Sequence, residues 1–179
     1  MGYCEGLRQL KRLGAIIAGG LSTRFGSDKA CALLNGTPLI EHVHSALSAR
    51  TDHVVVCGRT WPGIEHLDDR PNADLGPLGG LCAALHFANR HGYDVVLSAP
   101  VDVHPFPDTS ALMQSRTPRV FREQRLLGAW PSALASRLDD HIAAGHRSVR
   151  SWIAEAGAGI ISDPIGLRNI NTPDDLSGQ

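Results

Sequence analysis

Short runs of continuously apolar residues alternate with segments of helical periodicity along this chain, and that alternation limits its fold more than any other feature. Strands that are apolar along their whole length must be covered on both faces, as the strands of parallel sheets are. The runs that fit buried strands are 13–18, 53–57, 93–99, 126–130 and 160–161. The alternation predicts the fold class α/β, as a single three-layer αβα domain with a mostly parallel, Rossmann-like sheet.

Helices are predicted between these strands from the spacing of the apolar residues. The helical segments are 39–50, 78–85 with a stop at Gly92, 134–142 and 149–153, and Thr172 caps a last turn. Residues 1–12 are polar and basic and are expected to form a flexible N-terminal extension, with the domain spanning 13–179. A chain of 179 residues fits one domain, and neither a fixed-period repeat nor a low-complexity linker divides it.

Charge and the missing motifs exclude several classes of protein. A formal net charge of −1 argues against a general binder of nucleic acid. No apolar run approaches the roughly 20 residues that a membrane helix needs, and the first residues do not resemble a signal peptide. The four cysteines lack C-x-x-C spacing and the nine histidines lack an H-E-x-x-H pattern, so no zinc site is indicated. We expect a cytoplasmic protein with neither nucleic-acid nor membrane partners.

A glycine-rich loop at residues 18–29 follows the first predicted strand. Ligands of open α/β sheets gather beyond the carboxyl ends of the strands, and glycines let backbone N–H groups approach a phosphate closely. The loop also carries Arg24 and Lys29. Of 17 basic residues only Lys11 and Lys29 are lysines, and a compact ammonium suits a phosphate contact that a flat guanidinium does not replace. The loop is therefore predicted to bind phosphate.

Two common phosphate-binding loops are excluded by the spacing of these glycines. Gly20 and Gly26 are one residue too far apart for the P-loop, and Asp28 precedes the lysine. Gly19 and Gly20 are adjacent, which does not fit the dinucleotide pattern G-x-G-x-x-G.

Asp102 follows the predicted strand 93–99 and is expected at its carboxyl end, beside the glycine loop. A carboxylate at this place suits Mg²⁺ bound to a triphosphate. A helix cap or a turn residue is the alternative. Asn169 and Asn171 alternate, so their side chains point the same way on an extended segment. They could bind phosphate or acceptor, or form a turn before Thr172.

Five patterns together resemble the signature of the molybdenum cofactor guanylyltransferases. They are A-G-G-x-S-x-R-x-G-x-D-K at 18–29, L-x-G-x-P-L-I at 34–40, G-P-L-G-G at 76–80, P-V-D-x-x-P-F at 100–106 and N-I-N-T-P-D-D-L at 169–176. The resemblance implies a nucleotidyltransferase-type fold and Mg²⁺-dependent transfer of GMP from GTP to molybdenum-molybdopterin. The products would be molybdopterin guanine dinucleotide and pyrophosphate. The partners it implies are a GTP-binding accessory protein and apo-molybdoenzymes.

The resemblance also implies roles for individual residues. Catalytic roles fall to Arg24, Lys29 and Asp102, nucleotide binding to Ile17, Ala18, Gly19, Gly20, Lys29, Asp69, Gly80 and Asp102, Mg²⁺ binding to Asp102, and acceptor binding to Asn169 and Asn171. Asp69 matches the family's aspartate near the guanine base by its spacing. Its neighbour Asp68 competes for that role, and Asp74 fits a loop residue better.

Some positions depart from the family pattern. They are Cys57 in place of asparagine, Gly79 in place of alanine, Val101 in place of cysteine, and Arg125 in place of proline in the acceptor half. A cytidylyltransferase or a sugar-phosphate nucleotidyltransferase of the same fold therefore stays open, although cytidylyl relatives tend to carry A-A-G where this chain has A-G-G. A non-catalytic nucleotide-binding protein is a further alternative, against which the presence of both Lys29 and Asp102 argues.

Overall fold

The computed structural model describes residues 9–19, 28–114, 116–164, 166–167 and 169–170. Its strands are β1 (Arg12–Ile17), β2 (Leu33–Leu34), β3 (Thr37–Pro38), β4 (His53–Cys57), β5 (Glu65–Leu67), β6 (Val95–Pro100), β7 (Arg119–Phe121), β8 (Gly128–Pro131) and β9 (Gly159–Ile161). Its α-helices are α1 (Leu39–Ser48), α2 (Pro77–His91), α3 (Ser110–Met113), α4 (Ala135–Ala143) and α5 (Val149–Ala156), with 3-10 helices at Lys29–Cys31 and Ser132–Leu134.

Among the described residues, seven strands form one sheet in the order β5-β4-β1-β6-β8-β7-β9, and β2 and β3 form a separate antiparallel pair. Strands β5, β4, β1 and β6 run parallel to one another, and β7 runs parallel to β9. Strand β8 is antiparallel to both of its neighbours, β6 and β7. The sheet is mostly parallel, which confirms the predicted fold class.

Successive residues of β1 face two different helical layers, as the alternation of side chains along a strand requires. Leu13, Ala15 and Ile17 pack with α2, α4 and α5, whereas Ile16 packs with α1 and α3. Both faces of the central strands are thus covered, which produces three layers and explains why these strands are continuously apolar. Within the described part of the chain, no helix has both the length and the apolar character needed to cross a membrane.

Element boundaries differ from the predicted ones by one or two residues. Strand β1 occupies Arg12–Ile17 rather than 13–18, and β6 occupies Val95–Pro100 rather than 93–99. Just before β1, the backbone N–H of Lys11 donates to a carboxylate oxygen of Asp94 at 2.8 Å. Residues 1–8 and the predicted turn at Thr172 lie outside the described residues.

The sequence patterns missed β5 and β7, each of which has three residues. In β5, at the edge of the sheet, Glu65 and His66 are exposed, so no apolar run marks the strand. The predicted strand 126–130 is shorter than expected, because β8 begins at Gly128. The carboxyl end of β5 leads into Asp68 and Asp69, the two candidates for the contact with the base.

Candidate active site

The candidate site lies at the edge of the sheet where four parallel strands end. The backbone N–H of Ala18, after β1, donates to the carbonyl of Cys57 at the end of β4 at 3.0 Å. The N–H of Gly58, after β4, donates to the carbonyl of Leu67 at the end of β5 at 3.0 Å. These bonds fasten the loops that follow β1, β4 and β5 side by side, at the edge where open α/β sheets bind ligands.

Lys29 and Asp102 form an ion pair in this cleft. The Lys29 Nζ donates to Asp102 Oδ2 at 2.8 Å, across 73 residues of sequence. The two side chains are only 13% and 20% exposed. Lys29 begins the short helix after the glycine loop, and Asp102 lies two residues beyond β6. Asp102 was expected beside the glycine loop that carries Lys29, and the structure brings these two side chains into contact.

The second carboxylate oxygen of Asp102 is buried and has no hydrogen-bond partner among the described residues. A buried acceptor without a donor is costly, so such an atom calls for an explanation. Mg²⁺ prefers oxygen ligands and is commonly held by one or two carboxylates together with substrate phosphates. The Oδ1 atom of Asp102 fits that requirement.

Asp69 lies in a cradle formed by four glycines. A Cβ atom built on Gly79 would lie 3.0 Å from Asp69 Oδ2, and one built on Gly58 would lie 3.2 Å from Oδ1. For Gly19 and Gly80 the corresponding distance to the nearest carboxylate oxygen is 3.5 Å. Side chains at these positions would fill the space around the carboxylate. The glycines therefore let their backbones approach the carboxylate more closely than residues with a Cβ atom could.

The carboxylate of Asp69 is itself without a full set of partners. Its Oδ1 atom is buried and has no hydrogen-bond partner in the described part of the chain. Burial raises the pKa of Asp69, and the charges of Asp74 and Asp68 raise it further. Asp68 is exposed and pairs with His66 at 3.0 Å, so Asp69 is the member of the pair that faces the glycines. Asp68 and Asp69, which their spacing in the sequence does not distinguish, therefore have different surroundings in the structure.

Buried residues form the floor of this cradle. A Cβ atom on Gly80 would lie 3.0 Å from Cys57 Cβ and 3.4 Å from Ile17 Cγ2. Gly80 belongs to α2, whose second residue is Leu78 and whose first turn follows Gly76, a glycine with a positive φ of 61°. Ile17, Ala18, Gly19 and Gly80, all expected to bind nucleotide, therefore cluster near Asp69. Gly20 and Arg24 lie outside the described residues.

Asn169 lies close to Asp102 through the backbone. The N–H of Ile170 donates to the carbonyl of Asp102 at 3.0 Å, and Val103 forms an isolated antiparallel bridge with Asn169. The Asn169 side chain accepts from Gln124 Nε2. This segment therefore joins the loop of Asp102 to the half of the sheet that contains β7 and β8. Asn171 lies outside the described residues.

Asp28 and Arg59 form a second ion pair near Lys29. Arg59 is not among the site residues predicted from the sequence. Arg59 Nη1 donates to Asp28 Oδ1 at 2.7 Å, and Nη2 donates to Oδ2. The hydrogen bonds from Arg59 lower the pKa of Asp28 to about 2, although burial opposes them. No local pattern marks Arg59, because a single arginine after a strand is common in a chain so rich in arginine.

Away from this edge, Cys82, His86 and Asp139 form a polar cluster between α2 and α4. Their ligand-type atoms lie within 4.8 Å of one another. The Cys82 thiol donates to Asp139 Oδ1 at 3.1 Å, and His86 Nε2 bonds Oδ2 at 2.6 Å. Burial raises the pKa of Cys82 to about 12, with Arg70 close enough to oppose that shift. These hydrogen bonds join α2 to α4 through the Asp139 carboxylate.

The chain is a nucleotidyltransferase enzyme by its sequence similarity to a family model and to curated relatives. Residues 14–160 match the family model described as the MobA-like NTP transferase domain. The chain is also 31% identical over 180 residues to the molybdenum cofactor guanylyltransferase of Rhodobacter capsulatus, with 92% of each protein covered. The chain therefore belongs to the MobA-like NTP transferase family.

Solved structures share this fold. Molybdopterin-guanine dinucleotide biosynthesis protein A from Archaeoglobus fulgidus is similar with a TM-score of 0.67 at 23% identity, over 92% of this chain and 95% of that one. 2-C-methyl-D-erythritol 4-phosphate cytidylyltransferase from Thermus thermophilus gives a TM-score of 0.66 at 14% identity, over 91% and 94%. The second comparison shows that enzymes named for different nucleotides share this architecture.

We predict that Gly58→Ala separates the loops after β1 and β4. A Cβ atom there would lie 2.4 Å from the Gly19 Cα, and the positive φ of 81° adds backbone strain. Gly145→Ala is the matched control, because Gly145 has a φ of 88° and no atom within 4 Å of the added Cβ. Denaturant unfolding should show Gly58→Ala to be less stable than the control by about 1–3 kcal/mol. Equal losses of unfolding free energy in Gly58→Ala and Gly145→Ala would mean that the two loops are not in close contact.

Proposed function

We propose that this chain catalyses the Mg²⁺-dependent transfer of GMP from GTP to molybdenum-molybdopterin, forming molybdopterin guanine dinucleotide and pyrophosphate. The observation that carries the proposal is the Lys29–Asp102 ion pair beside the glycine cradle of Asp69, at one edge of the sheet. The named relative in Rhodobacter capsulatus supports the choice of nucleotide and acceptor. The role of each residue follows from its chemistry.

Lys29, Gly19 and Gly20 would bind the triphosphate, with Arg24 adding a second cation. The ammonium of Lys29 is a point charge that can follow negative charge as it moves onto the departing pyrophosphate. Asp102 would hold Mg²⁺ through Oδ1, which has no hydrogen-bond partner among the described residues. When bound, Mg²⁺ neutralises charge on the triphosphate and helps to orient it.

Asp69 would select the base. Its carboxylate can accept hydrogen bonds from both the N1–H and the exocyclic amine of guanine. Adenine does not present that pair of donors. The four glycines around Asp69 carry no side chain that would block a flat ring from the carboxylate. Asp69 Oδ1, which lacks a donor within the described residues, would gain one from the base.

The transfer itself needs no covalent intermediate with the protein. A terminal phosphate oxygen of the acceptor would attack the α-phosphorus of GTP in line, and pyrophosphate would leave. Lys29 and Arg24 would stabilise the charge that develops on the leaving group, which is commonly the largest catalytic contribution. Asn169 and Asn171 would orient the acceptor through neutral hydrogen bonds. A GTP-binding accessory protein, apo-molybdoenzymes as receivers of the product, and a cytoplasmic location stay predictions of the family resemblance.

Nucleotide preference is the sharpest test, because a cytidylyltransferase shares the fold. Calorimetry of the purified protein with GTP, CTP, ATP and UTP, each with Mg²⁺, should show the tightest binding for GTP. Incubation of the protein with GTP and molybdenum-molybdopterin should then release pyrophosphate. A clear preference for CTP would replace the guanylyl proposal with a cytidylyl one.

We predict that Lys29→Ala and Asp102→Ala each reduce turnover by at least about 10²–10³-fold, the usual cost of removing one preorganised charge contact. Lys11→Ala is the matched control, because Lys11 is the other lysine of the chain and is exposed. Turnover of the control should be unchanged, and thermal unfolding should show that all three variants fold. Near-normal pyrophosphate release by either site variant would contradict the assignment.

A separate prediction concerns pH. Because the pKa of Asp69 is raised, its carboxylate gains a proton at a higher pH than an ordinary aspartate does. A neutral carboxyl accepts from guanine less well, so GTP affinity should fall as pH is lowered through that raised pKa. Asp69→Asn should bind GTP about 10- to 100-fold more weakly at neutral pH. It should also lose this part of the pH dependence, and an unchanged pH profile would contradict the role of Asp69.

A further inference from the structure

Asp28 and Arg59 connect the residue before Lys29 to the end of β4. Both carboxylate oxygens of Asp28 accept from the two Nη atoms of Arg59, which is the strong bidentate arrangement. Thirty-one positions separate the two residues in sequence. Arg59 directly follows Gly58, whose N–H is bonded to the carbonyl of Leu67. The guanidinium therefore projects from a backbone that is anchored to the sheet.

The same carboxylate also fixes the backbone around Lys29. Asp28 is the N-cap of the helix Lys29–Cys31, and its Oδ1 accepts from the N–H of Ala30 at 3.1 Å. We propose that Asp28 and Arg59 are positioning residues that hold the start of this helix against the end of β4 and so aim Lys29 at the triphosphate. This proposal rests on the proposed function of Lys29, but it does not depend on which nucleotide is bound.

Positioning matters here because lysine is a flexible side chain. Ordering a lysine side chain costs conformational entropy, and a fixed backbone at its Cα reduces the number of positions that the ammonium can take. Lys29 directly follows Asp28 and donates to Asp102. The ion pair between Asp28 and Arg59 restrains the backbone from which the Lys29 side chain extends. The pKa of Asp28, lowered to about 2 by Arg59, keeps this carboxylate charged at any neutral pH.

Arg59 has no Nη atom left for a fork contact with the substrate, although its Nε is buried without a hydrogen-bond partner among the described residues. The two nitrogens with which a guanidinium grips a phosphate in a fork both donate to Asp28. Its guanidinium carbon lies 5.9 Å from the centroid of the Trp61 ring, which supports the side chain from another direction. An effect of Arg59 on catalysis should therefore pass through Lys29.

A double-mutant cycle separates positioning from direct contact. Arg59→Gln removes the charge, and Asp28→Asn removes the charge of the carboxylate while keeping an oxygen for the N–H of Ala30. Each is made in the wild-type protein and in the Lys29→Ala variant. The affinity for the nucleotide that binds most tightly among GTP, CTP, ATP and UTP is measured with Mg²⁺ by calorimetry. Values of kcat and KM are measured for pyrophosphate release.

We expect each substitution to weaken nucleotide binding about 3- to 30-fold in the wild-type background. In the Lys29→Ala background each substitution should weaken nucleotide binding less than about twofold, because the side chain that Asp28 and Arg59 position is then absent. Arg59→Lys, which keeps a charge at this position, should recover part of the loss.

Arg137→Gln is the matched control, because Arg137 pairs with Glu155 between α4 and α5 at 3.2 Å with both side chains half exposed. It should leave nucleotide affinity unchanged in both backgrounds. Equal losses from Arg59→Gln in the two backgrounds, or no loss in either, would overturn the proposal. If Arg59→Gln does not fold, as judged by thermal unfolding, the same comparison with Asp28→Asn decides. A preference for CTP would overturn the guanylyl function and leave this cycle intact, so the two failures are distinguishable.

Discussion

The ion pair between Lys29 and Asp102 is the interaction on which the candidate site depends. Both side chains are largely removed from solvent, and the desolvation of such a pair offsets much of its Coulomb attraction. Burial of this pair is therefore a poor way to stabilise the fold. It is understandable as a preorganised arrangement that a charged ligand completes, because one oxygen of Asp102 lacks a donor among the described residues. The parallel sheet makes the arrangement possible, since it brings the ends of β1 and β6 to the same edge.

The rest of the cleft is formed by glycines, which allow neighbouring backbone segments to approach one another closely. The loops after β1 and β4 contact each other at Gly19 and Gly58, where a side chain on Gly58 would overlap the neighbouring backbone. Gly79 and Gly80 let α2 approach the same place from one face of the sheet. The result is a carboxylate, that of Asp69, packed among glycine backbones, with the side chains of Cys57 and Ile17 close by. Two buried acceptor atoms, Asp69 Oδ1 and Asp102 Oδ1, remain without donors among the described residues.

Sequence patterns predicted the parts of this structure that are buried on both faces. Strands β1, β4 and β6 were predicted because burial on both sides requires continuous apolar residues. Strand β5 was missed because an edge strand of three residues with exposed Glu65 and His66 has no such requirement. Lys29 and Asp102 were predicted as site residues because each comes after a strand within a recognisable motif, and the structure shows that they are in contact. Arg59 was missed because its importance comes from a contact across 31 positions, which no local pattern records.

The shared fold of the cytidylyltransferase from Thermus thermophilus constrains how a base could be chosen. If one architecture serves enzymes named for different nucleotides, the base must be distinguished by a few residues at the strand ends rather than by the sheet. In this chain the side chains available near Asp69 are few, because glycines occupy the surrounding positions. Selection of the base by Asp69 would then depend on this one carboxylate, which glycines surround. Because that carboxylate has a raised pKa, its power to discriminate would depend on its staying ionised.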